Sequence, residues 1–194
     1  MSVAIVIPAA GDSSRMRGKD KLLEIVEGRP ILRLVAERAI ETGGDVIVVV
    51  PKQSKRLEVL SDLDLTIVQI DDATYGMSAS IAAGVIQVST EVIGIMILPA
   101  DMPALETTDL ASVIQVFEIK KTITRGSDTN GTPGHPVIFP ISDKQALLNQ
   151  SGDQGAHSIL AGREVKLVAL ESDRASLDLD TPEDWNAWRN NSGH

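Results

Sequence analysis

The chain of 194 residues contains no cysteine, which removes disulfides, thiolate metal sites and cysteine nucleophiles from consideration. Phe, Trp and Tyr make up only 3% of it, so Ile, Val, Leu and Ala must build the core. Aliphatic strands of that kind suit an α/β sandwich better than an aromatic-rich barrel. Basic charge is also short: 18 Lys and Arg stand against 27 Asp and Glu, a net charge of −9. Non-specific binding to nucleic acid or to an anionic membrane is therefore not expected. An anionic ligand would have to be met by local cations, backbone N–H groups or a metal. Long apolar runs are missing too. Val3-Ala4-Ile5-Val6-Ile7 has no basic residues before it and is too short for a signal segment or a membrane span. It reads as a first buried strand, and the protein as cytoplasmic.

What is present is an alternation of aliphatic runs with amphipathic stretches. Strands are expected at Val3–Pro8, Asp45–Val50, Leu65–Ile70, Val92–Pro99, Pro136–Phe139 and Glu164–Leu170. Most are continuous in Val and Ile, the pattern of strands covered on both faces. Helices are expected at about Pro30–Glu41, Ser54–Leu60, Ser78–Val88, Thr107–Lys120, Asp143–Gln150 and Pro182–Arg189. That rhythm implies a mainly parallel, doubly wound α/β sheet in a single domain over residues 1–190, followed by a frayed tail at 191–194. Thr181-Pro182-Glu183-Asp184 carries a cap, a proline at the first helical position and acids in the first turn. Thr107 or Thr108 is a candidate cap for the helix entering at Asp109. The glycine-rich stretch Gly126–His135 reads as a loop.

In such a sheet, ligands bind beyond the carboxyl ends of the strands. The singular residues fall there. After the first strand comes Pro8-Ala9-Ala10-Gly11-Asp12-Ser13-Ser14-Arg15-Met16-Arg17-Gly18-Lys19-Asp20-Lys21. Small residues let backbone N–H groups approach a phosphate chain. Arg15 offers a fork of donors, and Lys21 a compact charge. The loop lacks the Gly-Lys-Ser/Thr of a Walker A motif and the glycines of a dinucleotide fingerprint. Asp101, in Leu98-Pro99-Ala100-Asp101-Met102-Pro103, is a hard oxygen ligand suited to Mg²⁺. Taken alone it reads equally as a turn residue. In Asp178-Leu179-Asp180 the alternation puts both carboxylates on one side of an extended segment, and one of them could complete a metal site with Asp101. Ser78 and Ser80, in Gly76-Met77-Ser78-Ala79-Ser80, lie near a helix start where hydroxyls can read a base edge; an ordinary cap would look the same. His135, in Gly134-His135-Pro136, draws interest from its glycine-rich surroundings. Gly152-Asp153-Gln154-Gly155-Ala156 reads as a turn before a helix.

In this order, Ala9-Ala10-Gly11-x-Ser13-x-Arg15-Met16, Lys21-Leu22-Leu23, Gly76-Met77-Ser78-x-Ser80, Pro99-Ala100-Asp101-Met102-Pro103, Gly134-His135-Pro136, Gly152-Asp153-x-Gly155-Ala156 and Asp178-x-Asp180-Thr181-Pro182 resemble the molybdenum cofactor cytidylyltransferases, within the nucleotidyltransferases that act on molybdopterin. The resemblance implies a three-layer α/β/α Rossmann-like nucleotidyltransferase fold. It implies CTP and the molybdopterin-bound molybdenum cofactor as substrates, with pyrophosphate released. It also implies a molybdoenzyme or its insertion chaperone as the recipient. On the matching positions, Ala9, Ala10, Gly11, Ser13, Arg15, Lys21, Ser78, Ser80 and Asp101 bind the nucleotide, and Arg15, Lys21 and Asp101 carry the catalysis. Asp101 and Asp180 hold Mg²⁺. Gly134, His135, Asp153 and Gly155 face the acceptor. Ala10 bears on base choice, because guanylyl members tend to have Gly-Gly here. Arg17 stands where the family has glycine, which leaves open whether Lys19 or Lys21 meets the phosphates. Pro8 replaces the commoner leucine, a feature shared with the cytidylyltransferases of isoprenoid synthesis. Three other readings stay open: guanylyl transfer to the same cofactor, cytidylyl transfer to a small alcohol phosphate, and a non-catalytic cofactor carrier.

Overall fold

The first aliphatic run forms strand β1 (Val3–Pro8), and the sheet is arranged about it. The computed structural model describes residues 2–71, 76–150 and 157–192. A short antiparallel pair, β2 (Ile25–Val26) and β3 (Arg29–Pro30), leads into helix α1 (Ile31–Ile40). Then come β4 (Val46–Pro51), β5 (Thr66–Ile70), α2 (Gly76–Gln87), β6 (Gly94–Ile97) and α3 (Thr107–Lys120). The chain ends with β7 (Ile123–Ser127), β8 (Pro133–Pro140), α4 (Lys144–Leu148), α5 (His157–Leu160), β9 (Val165–Ala169) and α6 (Pro182–Ser192). The large sheet has the order β5-β4-β1-β6-β8-β7-β9. Only β8 runs against its neighbours β6 and β7, so the sheet is mainly parallel.

Alternate side chains of β1 go to opposite faces, as strand geometry requires. Val3, Ile5 and Ile7 join one core with residues of α1 and α3, together with Trp185 of α6. Ala4 and Val6 join a second core with Ile81 and Val85 of α2. Two helical layers thus cover the sheet, which is why its central strands need no polar face. Gly84 lets α2 sit close: a Cβ there would lie 2.5 Å from Val6 Cγ1. Among the described residues no helix is long and apolar enough to cross a membrane.

Several expectations are corrected. Gly126–His135 is not a plain loop: Gly126 and Ser127 end β7, and β8 begins at Pro133, so the segment is a β-hairpin. Asp128 ties its turn by accepting from the N–H groups of Asn130 and Thr132. The Ser54–Leu60 helix reduces to turns and one 3₁₀ turn at Glu58–Leu60. The cap of α3 is Glu106 rather than a threonine, and its N–H donates to the Asp109 carboxylate. At α6 the expected cap does form: Thr181 N–H and Oγ1 both donate to Asp184, whose N–H donates back to Thr181 Oγ1.

Candidate active site

β1 and β6 are adjacent and parallel, so the segments that leave their carboxyl ends face each other. They form one wall each of a cleft of about 740 Å³. The loop after β1 supplies Ala9, Ala10, Gly11, Ser13 and Arg15, followed by Lys21. The segment after β6 supplies Asp101, and α2 supplies Ser80. The β7–β8 hairpin supplies Arg125, Gly134 and His135, and the approach to α6 supplies Asp178 and Asp180. Residues scattered through the sequence therefore converge at one place.

The loop after β1 is braced from below. Arg56 is buried, with its side chain only 4% exposed. It donates to the Ala9 carbonyl at 2.6 Å, to both Asp20 oxygens at 2.7 Å, and to Ser13 Oγ at 3.2 Å. Asp20 in turn caps the turn that carries Lys21, accepting from Leu22 N–H. The Ser13 hydroxyl also accepts from Lys21 N–H, so it holds the loop together rather than standing free. Gly11 is different. A Cβ there would meet no atom of the described residues within 4 Å, so the space beside it lies open to the cleft.

Asp101 and the Asp178–Asp180 segment are joined through the backbone, because Leu179 N–H donates to the Asp101 carbonyl. That bond holds the segment carrying the two aspartates against Asp101. Lys21 Nζ lies 2.5 Å from Asp101 Oδ2 and 2.6 Å from Asp180 Oδ1. Arg15 pairs with the other Asp180 oxygen. Burial pulls the Lys21 pKa down, but the two carboxylates outweigh it and hold it above its ordinary value. Asp178 is pushed up, first by burial and then by the charges of Asp180 and Asp101. Among the described residues no group of three or more His, Asp or Glu is assembled as a metal cluster. Asp101 and Asp180 form a pair, with an ammonium where a cation between them would go.

Other placements are mixed. Lys21 reaches the cleft, while Arg17 turns to Glu183 at 2.7 Å. Ser80 lines the cleft, and its buried hydroxyl has no hydrogen-bond partner among the described residues. Ser78 is buried and does not line the cleft. His135 Nδ1 is buried with no partner among the described residues, and burial together with the Arg125 charge lowers its pKa to about 4, leaving a neutral ring at pH 7. Asp153 and Gly155 lie outside the described residues. Sequence reasoning missed Arg125, because the strand that carries it was not recognised, and Arg56, because nothing local marks it.

The model of the MobA-like NTP transferase domain matches residues 5–170. The chain belongs to this family. The MobA-like chain is 28% identical over 187 residues to the molybdenum cofactor cytidylyltransferase of Escherichia coli (strain K12), covering 95% of this chain and 94% of that one. It is 30% identical over 192 residues to a molybdenum cofactor guanylyltransferase of Yersinia pestis (strain Pestoides F), covering 94% and 93%. Among solved structures, the Rv0371c homologue from Mycobacterium sp. strain JC1 superposes with a TM-score of 0.83 at 27% identity, over 98% of this chain and 96% of that one. The MobA-like domain is thus a nucleotidyltransferase.

Proposed function

We propose that this MobA-like protein transfers CMP from CTP to the molybdopterin-bound molybdenum cofactor and releases pyrophosphate. The observation that carries this reading is the convergence of Gly11, Arg15, Lys21, Asp101 and Asp180 on one cleft. A terminal phosphate oxygen of the acceptor attacks the α-phosphorus in line. The oxygen bridging the α- and β-phosphates takes the electron pair, and pyrophosphate leaves. No strong base is needed, since the attacking phosphate is already anionic. The chain's own work is positioning and neutralisation of charge. Backbone N–H groups at Ala10 and Gly11 take the phosphate chain, while the Ala9 N–H is spent on the Val49 carbonyl, and Arg15 and Lys21 offset the phosphate charge.

The donor set fits a hard divalent cation such as Mg²⁺: two aspartates, with substrate phosphates and water to fill the remaining positions. Asp101 and Asp180 would hold it. When bound it would supply further charge neutralisation at the reacting phosphate. For base choice, the Ala10 methyl narrows the wall that a glycine would leave wider. The unpartnered Ser80 hydroxyl is available to a base edge. Guanylyl transfer is the second reading, favoured by the similarity to the Yersinia pestis relative. On the acceptor side, the neutral His135 ring and the Gly134 backbone face the pterin.

The experiment is calorimetric titration of CTP, GTP, ATP and UTP, with and without Mg²⁺, into wild type and Asp101→Asn. The reading expects CTP preference that requires both the metal and Asp101. It also expects Asp101→Asn to lose turnover by about a hundredfold or more while keeping its fold. A preference for GTP would reassign the base but keep the reaction. Tight cofactor binding without nucleotide binding would make the protein a carrier.

A further inference from the structure

Arg125 stands apart from every other arginine in the chain. The other nine each have a carboxylate within 4.0 Å, including the exposed Arg15 and Arg17. Arg125 has none among the described residues, although it is half-buried and lies in the cleft. Among the described residues its side chain makes one hydrogen bond, from Nε to the Gly134 carbonyl at 2.5 Å. That bond fixes the plane of the guanidinium, and no described residue takes its terminal N–H groups. The wall behind it is rigid. Arg125 pairs across the strands with Val137 of β8, and His135 N–H donates to the Ala175 carbonyl at 2.6 Å. Side chains at Gly126 and Gly134 would collide with the backbone oxygens of His135 and Ala175.

A cation desolvated without a counter-ion is costly, and burial does lower the Arg125 pKa. A fold keeps such a group where a ligand brings the missing charge. The nucleotide's phosphates already have Arg15, Lys21 and the loop after β1. Resting on the proposed transfer reaction, we infer that Arg125 anchors the phosphate monoester of the acceptor, gripping it with its free N–H fork on the wall formed by β7 and β8. Two parallel donors suit a phosphate dianion, and they would hold its third oxygen toward the nucleotide. The neutral His135 beside it adds a donor or acceptor without a competing charge.

The test uses the whole chain as wild type, Arg125→Gln and Arg125→Lys, with inorganic phosphate as the probe. Each protein is first saturated with a non-hydrolysable analogue of the nucleotide it binds, and that affinity is recorded. Phosphate is then titrated in by calorimetry. The expected result is unchanged nucleotide affinity in all three proteins and phosphate binding weaker by about tenfold or more in Arg125→Gln. Arg125→Lys should fall between, since it keeps the charge but not the fork. With the molybdopterin acceptor, KM for the acceptor should rise in Arg125→Gln while KM for the nucleotide holds. Equal phosphate binding in wild type and Arg125→Gln overturns the inference, as does phosphate binding absent from wild type. A loss of nucleotide affinity in Arg125→Gln equal to the loss of phosphate affinity would place Arg125 in the nucleotide subsite and also overturn it. Failure of the transfer reading shows differently, as wild type that binds phosphate through Arg125 but does not turn the pterin over.

Discussion

At the residue scale, two buried arginines hold the two loops on which the site depends. Arg38 donates to the carbonyls of Pro103 and Leu105, just past Asp101, at 2.7 and 2.9 Å. Arg56 holds Ala9 and, through Asp20, the turn that carries Lys21. Both arginines are less than one-tenth exposed, so each loop is fixed from the core side by charge-assisted bonds. The Arg56 brace predicts the behaviour of Asp20→Ala. Removing the carboxylate leaves the buried guanidinium without its counter-charge, which should destabilise the fold by about 3 kcal/mol. It should also weaken nucleotide binding, because the loop after β1 loses its tie to the Lys21 turn. Denaturant melts and calorimetry at a temperature where the variant is folded read the two effects. Unchanged nucleotide affinity there would show that the brace serves stability alone. Apart from Arg125, the cleft's charged residues were legible in the sequence, since short-range order marks them: small residues after a strand, an acid after an aliphatic run, alternating aspartates. The buried arginines Arg38 and Arg56 were not. Arg56 sits 36 positions from Asp20, and only the folded chain brings them together.

At the element scale, the alternation of aliphatic and amphipathic runs was enough to find most of the sheet. The strands it missed are those whose composition hides them. β7 reads Ile-Thr-Arg-Gly-Ser and is held by pairing on both sides, with β8 and with β9, rather than by its own apolar content. The hairpin it forms with β8 looked like a loop, because glycines needed for close backbone approach also mark turns. Helix α2 shows the reverse case, where a glycine inside a helix has a packing cause. With a Cβ at Gly84 only 2.5 Å from Val6 Cγ1 and 3.0 Å from Val49 Cγ2, the helix must lift off the sheet or push β1 and β4. Gly84→Ala gains helix propensity but should lose about 1–3 kcal/mol through overpacking. Ser80 sits one turn earlier on the same helix, so on its proposed role at the base edge the shift should also move its hydroxyl relative to the base. Discrimination between CTP and GTP should therefore weaken more than affinity for the triphosphate. A melting temperature at or above wild type would refute this account of α2 packing.

At the scale of the whole molecule, β1 is where the winding of the sheet reverses: the chain passes to β4 on one side and reaches β6 on the other. Such switch points open a crevice between neighbouring strand ends. Here the crevice brings the basic loop after β1 against the acids that follow β6 and precede α6. In a protein of net charge −9, these opposite charges pair with one another. Lys21 Nζ contacts both Asp101 and Asp180, and it stays charged because they outweigh the effect of burial. On the proposed metal role, a divalent cation and the Lys21 ammonium compete for the same two carboxylates. The ammonium has somewhere else to go only when a triphosphate is present to draw it away. Metal and nucleotide should then bind with positive coupling, each raising the other's affinity by the same factor. Wild type should take up Mn²⁺ weakly alone and much more tightly with nucleotide. Lys21→Met should bind Mn²⁺ alone about tenfold better than wild type while losing affinity for the nucleotide, since the competing charge and the phosphate ligand are the same group. Titration of Mn²⁺ by paramagnetic resonance or calorimetry, with and without CTP, measures all four affinities. If wild type and Lys21→Met bind Mn²⁺ equally well without nucleotide, the lysine is not occupying the cation's place, and the two carboxylates would have to meet a metal in some other arrangement.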